Sequence, residues 1–192
     1  MSTNLIEPAV ANAGAASLQS VSYQGSAATS TRQGGKFLTF FLAMEEYGIE
    51  ILKVQEIIGL MGITPVPRTP NHIRGVINLR GKVITVVDLR LKFGMESVEQ
   101  TDKTCIIVVQ TQGVQMGVVV DKVSEVLAIA PKDIDDAPSF GAEVNTDYIL
   151  GVGKSQGKVK LLLDIDKVLS SAELLDVSAA SAQFREEGKE NN

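Results

Sequence analysis

Three kinds of residue in this 192-residue chain have types and spacings that could carry chemistry. The first is Gly153-Lys154-Ser155, which resembles the close of a phosphate-binding loop, where backbone N–H groups and a lysine cradle phosphates. That loop needs a glycine five residues before its last glycine, and Tyr148 stands there. It must also open a helix, whereas this segment runs into the apolar stretch from Val159. Gly151-Val152-Gly153 fails the dinucleotide pattern as well, because Gln156 occupies the place of the third glycine. Both glycine groups read as hairpin punctuation.

The second kind is acidic. Asp88 and Asp164 recur at matching places, and paired carboxylates can share acid–base work. At the ends of apolar strands they read better as caps of a turn or helix. Asp102, Asp133, Asp135 and Asp136 lack calcium-loop spacing. The third kind is single residues. His72 is the only histidine and lies in a proline loop, so neither a triad nor a histidine metal cluster has anything to build on, and it is expected to face solvent. Cys105, the only cysteine, opens the apolar run Cys105-Ile106-Ile107-Val108-Val109 and reads as a small buried hydrophobe. No catalytic residue, cofactor or metal is expected.

The elements that hold these residues repeat themselves. Gly48-Ile49-Glu50-Ile51-Leu52-Lys53-Val54-Gln55-Glu56-Ile57 returns as Gly117-Val118-Val119-Val120-Asp121-Lys122-Val123-Ser124-Glu125-Val126, a shift of 69 (117 minus 48). Gly75 to Val83 returns as Gly151 to Val159 at a shift of 76 (151 minus 75), and Asp88-Leu89 returns as Asp164-Ile165. Two matches in one order indicate a duplicated unit of roughly 70 residues. Strands are expected at Phe37–Leu42, Tyr47–Ile51, Glu56–Leu60, Val76–Leu79 and Val83–Leu89, with a helical turn near Leu52-Lys53 and a turn at Arg80-Gly81-Lys82. The second half repeats them at Thr104–Gln110, Val114–Val120, Val123–Ile129, Tyr148–Val152 and Val159–Ile165, and a short C-terminal helix is expected over Asp166–Leu175. The fold class is all-β, two small barrels packed together, one to each half.

Composition bounds the rest. Residues 1–35 are rich in small polar residues and are expected to form a disordered tail, as are 176–192, leaving 36–175 as the folded domain. The net charge of −5 and the lack of a Lys/Arg cluster leave nucleic-acid binding little footing. No apolar stretch approaches the roughly 18 residues of a membrane span. No signal-peptide pattern opens the chain, so a cytoplasmic location is expected, with membranes reached only through protein partners. What remains is surface. Val54, Ile57, Val123 and Val126 fall at matching points of the two halves; they are either core or the lining of a groove between the barrels. Arg80 sits at a hairpin tip where its counterpart is Gln156, a difference that suggests the fold does not require it.

Phe37 through Leu42, Glu45-Glu46-Tyr47-Gly48-Ile49, Ile51 through Ile57, and Gly75-Val76-Ile77-Asn78-Leu79-Arg80-Gly81 through Asp88-Leu89-Arg90 resemble the bacterial CheW-like coupling family. The second half agrees through Gly117 to Asp121 and Val123 to Leu127, and the resemblance covers about 36–175. It implies two five-stranded SH3-like barrels and no catalysis. It also implies a scaffold that bridges methyl-accepting chemoreceptors and the histidine kinase CheA, whose regulatory domain has the same double-barrel form. Carried over by position, Val54, Arg80, Gly117, Val123 and Val126 match family positions linked to receptor binding, and Ile63 and Gly75 match positions linked to kinase binding. Three other readings stand beside it: a coupling protein of a non-flagellar chemosensory system, a fragment of a CheA-type kinase, and a small β-barrel enzyme or ligand-binding protein.

Overall fold

The computed structural model describes residues 34–137 and 146–169. The expected tails, apart from Gly34 and Gly35, and the helix beyond Leu169 lie outside the described residues. The strands are β1 (Gly35–Leu42), β2 (Glu45–Glu50), β3 (Val54–Gly59), β4 (Ile73–Leu79), β5 (Lys82–Asp88), β6 (Cys105–Thr111), β7 (Val114–Val120), β8 (Lys122–Ile129), β9 (Ile134–Asp135), β10 (Ile149–Ser155) and β11 (Lys158–Leu163). Short helices α1 (Leu89–Lys92) and α2 (Ile165–Val168) follow β5 and β11. A 3₁₀ turn, Ile51–Lys53, links β2 to β3 where the sequence predicts a helical turn.

The strands form two SH3-like sheets in the orders β3-β6-β7-β5-β4 and β8-β1-β2-β11-β10-β9. The second therefore has six strands, the sixth being the two-residue β9. The barrels are not the two halves of the chain, which corrects the sequence reading. The first takes β3, β4 and β5 from the first repeat and β6 and β7 from the second; the second barrel takes β1 and β2 from the first repeat. Parallel pairs β5–β7 and β2–β11 seal the exchange.

The physical reason for the exchange is the character of the exchanged hairpins. A strand that reads as a continuous apolar run must be covered on both faces. In β6, Ile106 and Val108 point into the first barrel, while Ile107 and Val109 point into a central core between the barrels. In β1, Phe37 points into the second barrel, while Leu38, Phe40 and Leu42 join the same central core. One barrel alone could cover only one face of either strand. The central core also receives Val87, Leu89, Leu163 and Ile165, so both repeats build it.

Local chemistry terminates the elements. Residues Arg80, Gln112 and Gln156 have φ of 52°, 48° and 53°, each followed by a glycine with positive φ. These are two-residue hairpin turns whose left-handed twist-matched geometry favours glycine at the second place. Asp88 accepts bonds from the backbone N–H groups of Arg90 and Leu91, and Asp164 accepts one from Asp166. Both aspartates are thus N-caps, as their repeat positions predict. Phe40, Tyr47, Phe93 and Tyr148 stack in a row with centroids 6.0, 5.9 and 5.5 Å apart, tying the end of α1 to the segment before β10.

Candidate partner-binding face

Residues three apart in a regular strand point to opposite faces. Val123 and Val126 escape this rule because β8 bulges against β1: Leu38 pairs with Val126 and Phe40 with Val123, so three steps on β8 match two on β1. Thr39 lies opposite the bulge, where its fully buried Oγ1 donates to the Glu125 carbonyl at 3.0 Å and accepts from the Glu125 N–H at 3.3 Å. The first repeat does the same. Val54 pairs with Val109 and Ile57 with Ile107, again three steps against two. Opposed residues share a face, and Leu38, Phe40, Ile107 and Val109 all face the central core.

The bulges therefore turn Val54, Ile57, Val123 and Val126 to the side of that core. Val54 and Val123 pack onto its margin. Ile57 and Val126 remain 46% and 49% exposed. Of the two alternatives left by the sequence, the core reading holds for one residue of each pair, and the other residue of each pair is exposed. Ile57 did not belong to the carried-over set, and the signal for it was its exact repeat match with Val126 at the shift of 69.

The remaining candidates divide differently. Arg80 is 78% exposed along its side chain but is not merely solvated: its Nη1 and Nη2 donate to Glu56 on β3 at 3.2 and 2.7 Å. The tip of the β4–β5 hairpin is thereby drawn to the opposite edge strand of its own sheet. Gly117 is buried inside the first barrel, where an added Cβ would lie 2.7 Å from Ile106 Cγ2. Its repeat partner Gly48 occupies the same place in the second barrel, 3.0 Å from Leu162 Cδ2. Gly117 accordingly offers a partner no side chain. Ile63 is half-buried against the interior of the first barrel. Thr64, the next residue, exchanges two backbone hydrogen bonds with Val76 at 2.9 and 2.8 Å in an antiparallel bridge, which sets Ile63 toward Ile77 and Pro65 against Gly75.

The residues with chemical potential are tied up in structure. His72 is half-buried rather than solvent-facing, and its carbonyl accepts the Asp88 N–H at 2.8 Å. Cys105 is half-buried, and burial pushes its thiol pKa up, away from the reactive thiolate. A cavity of about 20 Å³ beside Arg74, Asp88, Arg90 and Asp121 has room for roughly one water, far from the few hundred Å³ of a ligand site. Both of its arginines are paired, Arg74 with Asp88 at 3.6 Å and Arg90 with Asp121 at 2.5 Å. Among the described residues, no three His, Cys, Asp or Glu side chains gather as a metal set. No described helix is long and apolar enough to cross a membrane.

Interlocked small barrels with a twofold-repeated apolar margin define a protein-binding module made by duplication. Residues 36–173 match the family described as CheW-like domain. The chain is 43% identical over 141 residues to the chemotaxis protein CheW of Klebsiella aerogenes, covering 73% of this chain and 85% of that protein. It is 32% identical over 139 residues to CheW of Bacillus subtilis, covering 72% and 88%. Its fold matches the crystal structure of the scaffolding protein TtCheW from Thermoanaerobacter tengcongensis with a TM-score of 0.67 and 33% identity, covering 73% of this chain and 96% of the other. The chain belongs to the CheW-like domain family. It is a chemotaxis coupling scaffold.

Proposed function

We propose that this scaffold is noncatalytic and cytoplasmic, and that it joins the cytoplasmic tip of methyl-accepting chemoreceptors to the histidine kinase CheA. The receptor side is the margin formed by Val54, Ile57, Val123 and Val126, with Arg80 as a rim charge. The kinase side is the end of the first barrel around Ile63. The twin bulges carry the reading, because they spend one extra residue in each repeat to turn two apolar side chains to one face. Because the three bulged steps match only two on the opposing strand, each pair spans roughly 7 Å. The rise from i to i+4 in a helix is roughly 6 Å. Each pair therefore matches two same-face anchors of a helix laid across it, the way an amphipathic helix docks in an apolar groove.

The test is reconstitution. Receptor fragments in signalling arrays, kinase and this chain together are expected to show receptor-controlled autophosphorylation that falls when the chain is omitted. Val126→Asp, at an exposed position, is expected to weaken binding to the receptor fragment by about 1–2 kcal/mol while leaving kinase binding unchanged. Unaltered receptor binding by that variant, or nucleotide turnover by the isolated chain, would overturn the reading.

Arg80 gives a second check. Because its bonds to Glu56 are charge-assisted but largely exposed, Arg80→Ala is expected to cost under about 1 kcal/mol of stability by urea denaturation. Receptor affinity measured by calorimetry should drop by more than that. Equal weakening toward receptor and kinase would make Arg80 a fold residue instead.

A further inference from the structure

Two ionic nodes stand at the starts of the bulged strands. Asp121, the residue before β8, accepts Arg90 Nη1 of α1 at 2.5 Å and the Ala43 N–H of the β1–β2 turn at 2.7 Å through the same Oδ2. Its own N–H donates to the Phe41 carbonyl at 3.2 Å. Lys53, the residue before β3, donates to Asp166 Oδ2 of α2 at 2.5 Å. Asp166 Oδ1 accepts the fully buried Thr111 hydroxyl at 2.6 Å, and its carbonyl accepts Gln112 Nε2 at 3.4 Å, both at the β6–β7 turn.

The two nodes have the same parts: the tip of an exchanged hairpin, the start of a bulged strand, and the short helix that closes the other barrel. Even the turn residues correspond, since Ala43 and Gln112 are 69 apart and have φ of 55° and 48°. The charges do not correspond. In one node the anion precedes the strand and the cation is on the helix; in the other the roles are reversed. As a result the first repeat supplies both cations, Lys53 and Arg90, and the second supplies both anions, Asp121 and Asp166.

We propose that Asp121 and Asp166 are positioning residues that seat the partner-binding strands β8 and β3, and that the division of charge works against a first repeat paired with another first. A first repeat closing on another first repeat would set Lys53 against Arg90. That pairing meets like charge at the point where the correct one meets a bond, which is how partner choice is enforced by repulsion. The placement next to Val54 and Val123 makes this device a functional one, and that part rests on the proposed receptor face.

The experiment uses the full-length chain carrying Asp166→Lys, Lys53→Asp, or both, with Asp166→Asn as a milder variant that keeps an acceptor for Thr111. Each single exchange is expected to speed amide hydrogen exchange at 53–57 without a change across β10 and β11. Affinity for a receptor cytoplasmic fragment is expected to fall about three- to tenfold and affinity for the kinase regulatory domain less than twofold. The double exchange restores both, and raising salt to 1 M shrinks the single-variant loss because these side chains are about one-third exposed. Failure of the double to recover, exchange changes spread evenly over the chain, or unchanged receptor affinity in the singles would overturn the proposal. If the unaltered chain binds neither partner, the coupling reading falls, while the hydrogen-exchange arm still decides whether the node seats β3.

Discussion

Replacing Gly75 by alanine is expected to destabilise the fold by about 4 kcal/mol, which is the sum of a backbone strain and an overpacking penalty of about 2 kcal/mol each. Gly75 has φ of +133°, a region closed to side-chain-bearing residues. An added Cβ would sit 2.0 Å from the Thr64 carbonyl oxygen, 2.7 Å from its carbon and 2.9 Å from Pro65 Cα. All three are backbone atoms, and the Thr64–Val76 hydrogen-bond pair holds them in place. Gly151, its repeat partner, meets the Asp135 carbonyl oxygen at 2.6 Å but without positive φ, so Gly151→Ala should cost less, about 1–3 kcal/mol. Urea denaturation of the two variants measures the difference. Gly75 variants are then expected to lose kinase binding only in step with the unfolded fraction. A Gly75→Ala chain with an unchanged midpoint and no kinase binding would show instead that Gly75 is a contact.

Gly75 and Gly117 also show where sequence reading stops. The repeat was legible because glycine, lysine and acidic residues recur in fixed order, and it located nearly every strand within two or three residues. The caps at Asp88 and Asp164 were legible for the same reason. The exchange of hairpins was not read, although its mark was present: Phe37–Leu42 and Cys105–Val109 are apolar at every second and every intervening place but one, Thr39, and only a doubly covered strand needs that. The bulges left no mark at all. Ser124 and Gln55 look like ordinary outward strand positions, and only pairing reveals the extra residue that brings Val54 to the side of Ile57. Nor does sequence distinguish a glycine that a partner approaches from one that the chain's own backbone approaches. The same letter served for Gly117, inside a barrel, and for the tip glycine Gly81, where a Cβ would meet nothing within 4 Å.

Breaking the buried ion pair of the second barrel is expected to have an effect of similar size. Lys160 Nζ lies 3.1 Å from Glu46 Oε2, with side chains 2% and 10% exposed. Removing one partner of such a pair leaves a buried charge and costs about 3–5 kcal/mol, whereas replacing both is often neutral. The first barrel supplies the replacement: by the repeat shifts, Ile84 stands where Lys160 does and Gln115 where Glu46 does. Glu46→Gln alone is therefore expected to cost about 3–5 kcal/mol, because the Lys160 ammonium stays buried. Lys160→Ile should cost less, since Ser124 still donates to Glu46. The double variant should return to within about 1 kcal/mol of the unaltered chain. Acid separates them further. Burial pushes the Glu46 carboxyl up, but the bonds from Lys160 and Ser124 and the Lys160 charge outweigh it and hold the group below the ordinary 4.5. A lowered folded pKa means stabilisation that is complete above about pH 4.5 and is lost as pH falls through the folded value. The double variant should lack that part of the acid loss while retaining the part due to Asp166, whose carboxyl burial also raises and whose bonds from Lys53 and Thr111 bring below 3.8. Denaturation midpoints of the four chains between pH 3 and pH 7 test this, and a double variant as unstable as Glu46→Gln would mean that the second barrel requires its charges rather than tolerating them.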